Sequence, residues 1–276
     1  MKKELNTGVK STWCPGCNNF MVLAGLKNAI AKELEKSDKD DIAIVTGIGC
    51  HAKLFDYINM NGINTLHGRV LPMCLGIKTG NPNLKVIGFS GDGDAYAEGI
   101  EHLIHAARYN ADVKYVVMNN QVFALTVGQP TPTTKLGFKG KTNPEGVKLS
   151  PLNPIRIMLA SGASFVARVS SDVKQIEWIL EEAFKHKGFA FIEILQSCLI
   201  FNNINLKEKM YLLEKEGHNK GDMGSAMKKA EEFNYDSTDK IPIGIFYQKE
   251  REIFEDKFKQ LKDLKNKGIS WKDIQR

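Results

Sequence analysis

KVIGFSGDGDAYAEGIEHLIHAARYNADVKYVVMNNQVFALTVGQPTPTT, residues 85–134, decides the fold of this chain. It reads as strand, glycine-rich turn, helix, strand and loop. Lys85–Phe89 is a short apolar run, after which Gly91-Asp92-Gly93-Asp94 turns the chain. Glycines accept positive φ and let backbone N–H groups approach a ligand with no Cβ in the way. Ile100, Leu103, Ile104 and Ala107 then share one face of a helix whose N-terminus points back at the turn, a place that attracts anions. Lys114–Met118 is the next strand and ends in Asn119-Asn120. Asp92 and an asparagine are thus expected at the carboxyl ends of two adjacent parallel strands, where open α/β sheets bind ligands. Mg²⁺ takes a carboxylate, an amide or backbone carbonyl, and phosphate oxygens in near-octahedral geometry. For a lone GDG the competing reading is a plain strand–turn–helix whose Asp caps the helix. The Asn-Asn pair closing the very next strand favours a diphosphate carried on Mg²⁺.

Outward from this stretch, helices and strands alternate. Trp13-Cys14-Pro15-Gly16-Cys17 makes a tight turn, and an amphipathic helix is expected from Asn18 to about Leu34, with Met21, Leu23, Leu26, Ile30 and Leu34 inward. Ile42–Thr46 is a β-branched strand that runs into Gly47-Ile48-Gly49-Cys50-His51. Thr65–Arg69 leads into a helix ending near Gly80. Leu136–Pro151 is polar enough for a surface loop or lid. Asn153-Pro154 starts a helix, with Gly162 as its stop; Phe165–Val169, Asp172–Lys187 and Phe189–Leu195 follow as strand, helix and strand. The alternation with short connections predicts an α/β fold, a doubly wound and mainly parallel sheet. Two regions are expected: residues 1–203 as the α/β domain, and residues 204–276 as a C-terminal, largely helical appendage that contacts a partner. That appendage holds one strand-like run, Ile241–Tyr247, and a helix over Gln248–Lys267.

Composition excludes several classes. With 276 residues and 42% hydrophobic content the chain has material for a sizeable core. No apolar run reaches the ~18 residues of a membrane span, and no apolar stretch follows the basic MKKELNTGVK, so no signal peptide is read and a cytoplasmic location is expected. The net charge of +6 is spread among interleaved lysines and acids. There is no basic cluster with interleaved aromatics to suggest nucleic acid.

Five cysteines, Cys14, Cys17, Cys50, Cys74 and Cys198, form an odd set that argues against a disulfide framework. Cys14, Cys17, Cys50 and Cys198 lie in a turn or follow a strand. Four thiolates suit tetrahedral zinc or a 4Fe–4S cluster, and a redox dithiol at Cys14/Cys17 is a third reading. Cys74, inside an expected helix, reads as a small buried hydrophobe.

GDG followed by two asparagines resembles the thiamine-diphosphate motif, and the chain as a whole resembles the β subunits of 2-oxoacid:ferredoxin (flavodoxin) oxidoreductases. The resemblance spans about residues 11–203 and rests on WCPGCNNF (13–20), TGIGCHAK (46–53), LHGRVLP (66–72), GDGDA (91–95), HLIHAAR (102–108), MNNQVFALTVGQPTPTT (118–134) and SCLIFN (197–202). It implies Mg²⁺ on Asp92, Asn120 and the carbonyl of Val122. Thiamine diphosphate would be lined by Ile48, Gly49, Cys50, His51, His67, Gly91, Gly93, Asp94, Ala124, Leu125 and Thr126. It also implies a 4Fe–4S cluster on Cys14, Cys17, Cys50 and Cys198, since zinc accepts no electron. His67 and Lys53 are the candidate catalytic groups, with Lys53 and Leu125 at positions that face the substrate. The implied activity is coenzyme A-dependent oxidative decarboxylation of a 2-oxoacid, 2-oxoglutarate or pyruvate, with electrons passed to ferredoxin or flavodoxin. The carboxylate that activates the thiamine ring comes from an α subunit in that family, so a heteromeric partner is implied. The chain departs from the family pattern at Asn18, at His51-Ala52 and at Leu199-Ile200. Two rival functions remain: a non-redox 2-oxoacid decarboxylase component with structural zinc, and a non-catalytic scaffold subunit.

Overall fold

A computed structural model describes residues 2–236 and 240–268. Within the expected appendage, residues 237–239 and 269–276 lie outside the described residues.

The strands are β1 (Ile42–Thr46), β2 (Gly62–Asn64), β3 (Lys85–Gly91), β4 (Val113–Asn119), β5 (Val122–Phe123), β6 (Gln129–Pro130), β7 (Phe165–Ser170), β8 (Ala190–Leu195), β9 (Met210–Leu212) and β10 (Ile241–Gln248). Eight of them form one sheet in the order β2-β1-β3-β4-β8-β7-β10-β9, while β5 and β6 pair separately. All neighbours in the large sheet are parallel except β7 and β10. The helices are α1 (Asn19–Glu33), α2 (Leu54–Tyr57), α3 (Val70–Gly80), α4 (Ile100–Tyr109), α5 (Pro154–Ala160), α6 (Val173–Lys185), α7 (Met223–Glu231), α8 (Phe254–Lys257) and α9 (Lys259–Lys267).

Strict alternation along the strands builds two cores. Ile44, Phe89, Val116 and Ile192 meet α1 and α6 on one face; Val45, Val86, Val117 and Phe191 meet α3, α4 and α5 on the other. Each such side chain is worth roughly 1.5–3 kcal/mol when fully buried. The two helices of the first face approach closely at Gly25, where a Cβ would come 2.7 Å from Ile176. Helix starts are capped as the residues suggest: Asn153 accepts from the Arg156 amide, and Asp172 from those of Lys174 and Gln175.

Several local expectations shift. Helix α1 buries Leu26 and Ile30 as expected, with Leu23 and Leu34 packed against the core, but Val22 and Ala29 complete its inward stripe and Met21 is left 45% exposed. Helix α4 turns Ala106 inward and Ile104 outward. Between β3 and α4 the chain makes a π-helical turn, Gly93–Glu98, so the α-helix starts later than the glycine turn suggests. The tail differs most. Its strand-like run is β10, which joins the main sheet antiparallel to β7. The expected helix over 248–267 is interrupted, because buried Ile253 holds the segment before α8 extended and Phe258 separates α8 from α9.

Candidate active site

Four chain segments leave the carboxyl end of the sheet side by side. They are Gly47–His51 after β1, Asp92–Asp94 after β3, Asn120–Val122 after β4 and Gln196–Cys198 after β8. One cleft is lined by Ile48, Gly49, Cys50, His51, His67, Gly91, Asp92, Gly93, Asp94, Asn120, Val122, Ala124, Leu125 and Thr126. The structure thus brings together every residue expected at the thiamine and Mg²⁺ sites. Met118, Phe123 and Gln196 also line the cleft. Phe123 packs where a Cβ on Gly93 would sit, and Gln196 follows the last parallel strand. These three lie in or beside apolar runs, so nothing in their neighbours marks them as lining.

Asp92 is 2% exposed. The Asn120 amide donates to its Oδ1 at 3.3 Å and Thr133 Oγ1 to its Oδ2 at 3.2 Å. Among the described residues it has no cationic partner. Burial pushes its carboxyl up to about 6, against the lowering effect of these donors. A buried carboxylate held short of a counter-charge fits a divalent cation. Asn119 points into the protein, its Nδ2 donating to Glu193 at 2.8 Å, whereas Asn120 lines the cleft. Gln121, at φ +62°, turns the chain just after this pair.

Asp94 organises the opposite wall. Gly68 N donates to its Oδ1 at 2.7 Å, His67 Nδ1 lies 3.3 Å from Oδ1, and His51 Nε2 lies 3.4 Å from Oδ2. Burial drives this carboxyl up, but His51 and the Gly68 and Ser90 donors outweigh it and hold it below the usual carboxylate range. Gly47 has to be glycine, because a Cβ there would overlap the Asp94 carboxylate.

A second cavity, about 250 Å³, is lined by Cys14, Cys17, Cys50 and Cys198 together with Lys53. Local bonds assemble it. Cys17 N donates to Cys14 O at 3.0 Å, with Gly16 at φ +76° inside the turn. Trp13 Nε1 donates to Cys50 O at 2.7 Å, Asn18 Nδ2 to Ser197 O at 3.3 Å, and Asn202 Nδ2 to Asn120 O at 2.9 Å. Burial pushes the Cys17 and Cys50 thiols up; Lys53 works the other way on both. Lys53 therefore faces the cysteines, with its Nζ 3.4 Å from Thr12 O. Cys74 is fully buried in α3, away from this set, and burial pushes its thiol far up. A roomier groove of about 800 Å³ under the 142–152 loop has Glu145 and Lys148 as its ionisable lining, and these pair with each other on the surface. The chemistry belongs to the tighter cleft.

Comparison with known proteins agrees with this geometry. Residues 47–194 match the family described as thiamine pyrophosphate enzyme, C-terminal TPP binding domain. Residues 198–263 match the family described as the C-terminal part of the pyruvate ferredoxin oxidoreductase beta subunit. The chain is 41% identical over 251 residues to a 2-oxoacid:ferredoxin oxidoreductase subunit beta of Saccharolobus solfataricus, covering 86% of this chain and 82% of that one. It is 34% identical over 263 residues to the 2-oxoglutarate synthase subunit KorB of Archaeoglobus fulgidus, covering 95% and 94%. Among solved structures it superposes with TM-score 0.87 and 31% identity on a 2-oxoglutarate:ferredoxin oxidoreductase from Magnetococcus marinus with 2-oxoglutarate, coenzyme A and succinyl-CoA bound; 98% of this chain and 91% of that chain are covered. With its thiamine-binding sheet and the tail that follows it both matched, the chain belongs to the β subunits of the 2-oxoacid:ferredoxin oxidoreductases.

Proposed function

We propose that this chain holds thiamine diphosphate through Mg²⁺ on Asp92, Asn120 and the Val122 carbonyl, and a 4Fe–4S cluster on Cys14, Cys17, Cys50 and Cys198. With an α partner it would carry out coenzyme A-dependent oxidative decarboxylation of 2-oxoglutarate, delivering electrons to ferredoxin or flavodoxin. When bound, the thiamine group supplies a carbon nucleophile for the 2-oxoacid carbonyl, and the cluster takes up electrons one at a time. The observation that carries this reading is a common wall. Cys50, Asn120, Ala124, Leu125 and Gln196 line both the cleft and the cysteine cavity. A redox partner on the far side of that wall has a purpose; a structural zinc ion has none.

The chain's own groups divide the work. Asp92 and Asn120 bind the metal, and the glycines at 49, 91 and 93, which line the cleft, let backbone approach the diphosphate. Asp94 orients His51 and His67, of which His67, 34% exposed at its side chain, can exchange a proton with a bound substrate. Lys53, on the cysteine side, contributes positive charge close to the reacting centre and its acceptor. The carboxylates lining the cleft are Asp92 and Asp94, and both are engaged as described, which supports an α subunit as the source of the ring-activating carboxylate. We assign the exposed surface of the region beyond residue 203 to partner contact, its strand β10 belonging to the sheet itself, and the whole chain to the reducing cytoplasm, where free thiols persist. No helix among the described residues is long and apolar enough to cross a membrane. The relatives named for 2-oxoglutarate favour that substrate over pyruvate.

The test is anaerobic purification of the chain with its α partner. About four irons per chain with broad visible absorbance, and reduction of a low-potential dye that needs both 2-oxoglutarate and coenzyme A, are expected. The isolated chain should not turn over. Zinc without iron, or CO₂ release with no dye reduction, would overturn the proposal.

A further inference from the structure

Strand β8 carries a charge in the middle of an apolar run. Glu193 is fully buried, and Arg168, equally buried, stands opposite it in β7. Arg168 Nε donates to Glu193 Oε2 at 2.7 Å, and its guanidinium lies 5.1–5.6 Å from the ring centroids of Phe233, Tyr235 and Phe246. Burying two charges costs several kcal/mol per ion in practice, so a well-packed apolar pair would serve stability as well or better. An apolar pair could not receive further donors. Glu193 Oε1 accepts from Tyr235 Oη at 2.5 Å, Asn119 Nδ2 at 2.8 Å and Tyr96 Oη at 3.3 Å. Asn119 passes the constraint on. Its Oδ1 accepts from Gln121 N at 3.0 Å and from Thr133 Oγ1 at 3.0 Å, and Thr133 Oγ1 also lies 3.2 Å from Asp92 Oδ2.

We propose that Glu193, clamped by Arg168 and Tyr235, is a positioning residue for the metal turn. Through Asn119 and Thr133 it sets the direction in which Asn120 and Asp92 present their oxygens. The inference rests on the reading that those two groups hold Mg²⁺. Partners one shell out from a metal fix ligand orientation in this way. Tyr235 belongs to the tail, so the segment beyond residue 203 reaches the metal turn through two hydrogen bonds in series, Tyr235 to Glu193 and Glu193 to Asn119.

Tyr235→Phe removes one hydroxyl and leaves the buried ion pair intact, so the variant keeps its fold. Asn119→Ala removes the output of the relay. Thiamine diphosphate is titrated into each full-length variant by calorimetry, with and without Mg²⁺, and thermal unfolding of the ligand-free protein is recorded beside it. Asn119→Ala should weaken Mg²⁺-dependent binding roughly ten-fold, the usual scale for outer-shell partners. Tyr235→Phe should weaken it by a smaller factor. The double variant should be no weaker than Asn119→Ala alone, because both act along one line. Additive losses would overturn the proposal. So would a Tyr235→Phe protein that melts earlier yet binds with unchanged Mg²⁺ dependence. If wild-type binding is itself indifferent to Mg²⁺, the metal reading fails first and the proposal goes with it.

Discussion

The two ends of the sheet solve the buried-polar problem differently. At the amino end, beneath α4 and α6, buried charges and amides are paired with one another and with backbone. Lys78 Nζ donates to Pro82 O and Leu84 O, and Lys114 Nζ to Asp112, His186 O and Gly188 O. Asn110 donates to Arg251 O and Glu252 O and accepts from Ser164 Oγ and Phe189 N. At the carboxyl end Thr46 Oγ1 and Gln196 Oε1 are buried with no hydrogen-bond partner, and His51 and His67 meet Asp94 only at 3.3–3.4 Å, whereas at the amino end His186 Nδ1 is left unpaired. Native proteins seldom leave such groups unpaired. One end satisfies most of its buried groups within the protein, and the other leaves more of them to be completed by a ligand.

The largest expected break in this contrast is at Asp92. Asp92→Asn should abolish Mg²⁺-dependent thiamine diphosphate binding in calorimetry. The thermal midpoint of the ligand-free protein should hold or rise, because the carboxylate is penalised where it stands. A falling midpoint with binding retained would make Asp92 a structural residue. Next come the cysteines. Cys198→Ala should lose iron and its visible absorbance, and Cys74→Ala should keep both; the reverse pattern in an iron assay would show the ligand set to be wrong. At the amino end the expected effect is on stability alone. Asn110→Ala strands several buried partners and should cost about 2–4 kcal/mol in chemical denaturation, with cofactor affinity unchanged.

The smallest effect is a pH slope from the same end. Burial, with Lys114 nearby adding to it, pushes the His186 imidazole down to about 4. Ser164 Oγ at 2.8 Å, the Phe165 ring and Asp112 also face it. The unfolded chain takes up this proton near pH ~6.5, before the folded one does. The stability is therefore full above that pH and is lost as pH falls toward about 4. His186→Gln should flatten the fall in thermal midpoint over this window, and an unchanged slope would assign it to other groups.

Much of the cofactor end could be read from residues 85–134, because glycine turns and paired asparagines carry their geometry locally. Strands β1, β3, β4, β7 and β8 were equally legible, being short apolar runs between clear turns, whereas the three-residue margins β2 and β9 carry too few residues to show a pattern. What could not be read depends on partners far away in the chain. Glu193 within AFIEIL and Arg168 within FVARVS each look like an isolated charge in a strand, and acquire meaning only when β7 and β8 lie in register. Thr133 has no local signal that it meets Asp92. The tail strand β10 was visible as an apolar run, but its antiparallel place beside β7 follows from packing and not from its own residues.

The strands at the two margins of the sheet, β2 and β9, are each three residues long. A margin that short offers little unpaired backbone for another chain to extend, which is how natural sheets avoid joining edge to edge. Association by strand addition is thereby disfavoured. Any protein that completes the cleft has to be met by side chains on the loops and helices around it, so recognition depends on their shape and chemistry and not on generic backbone pairing.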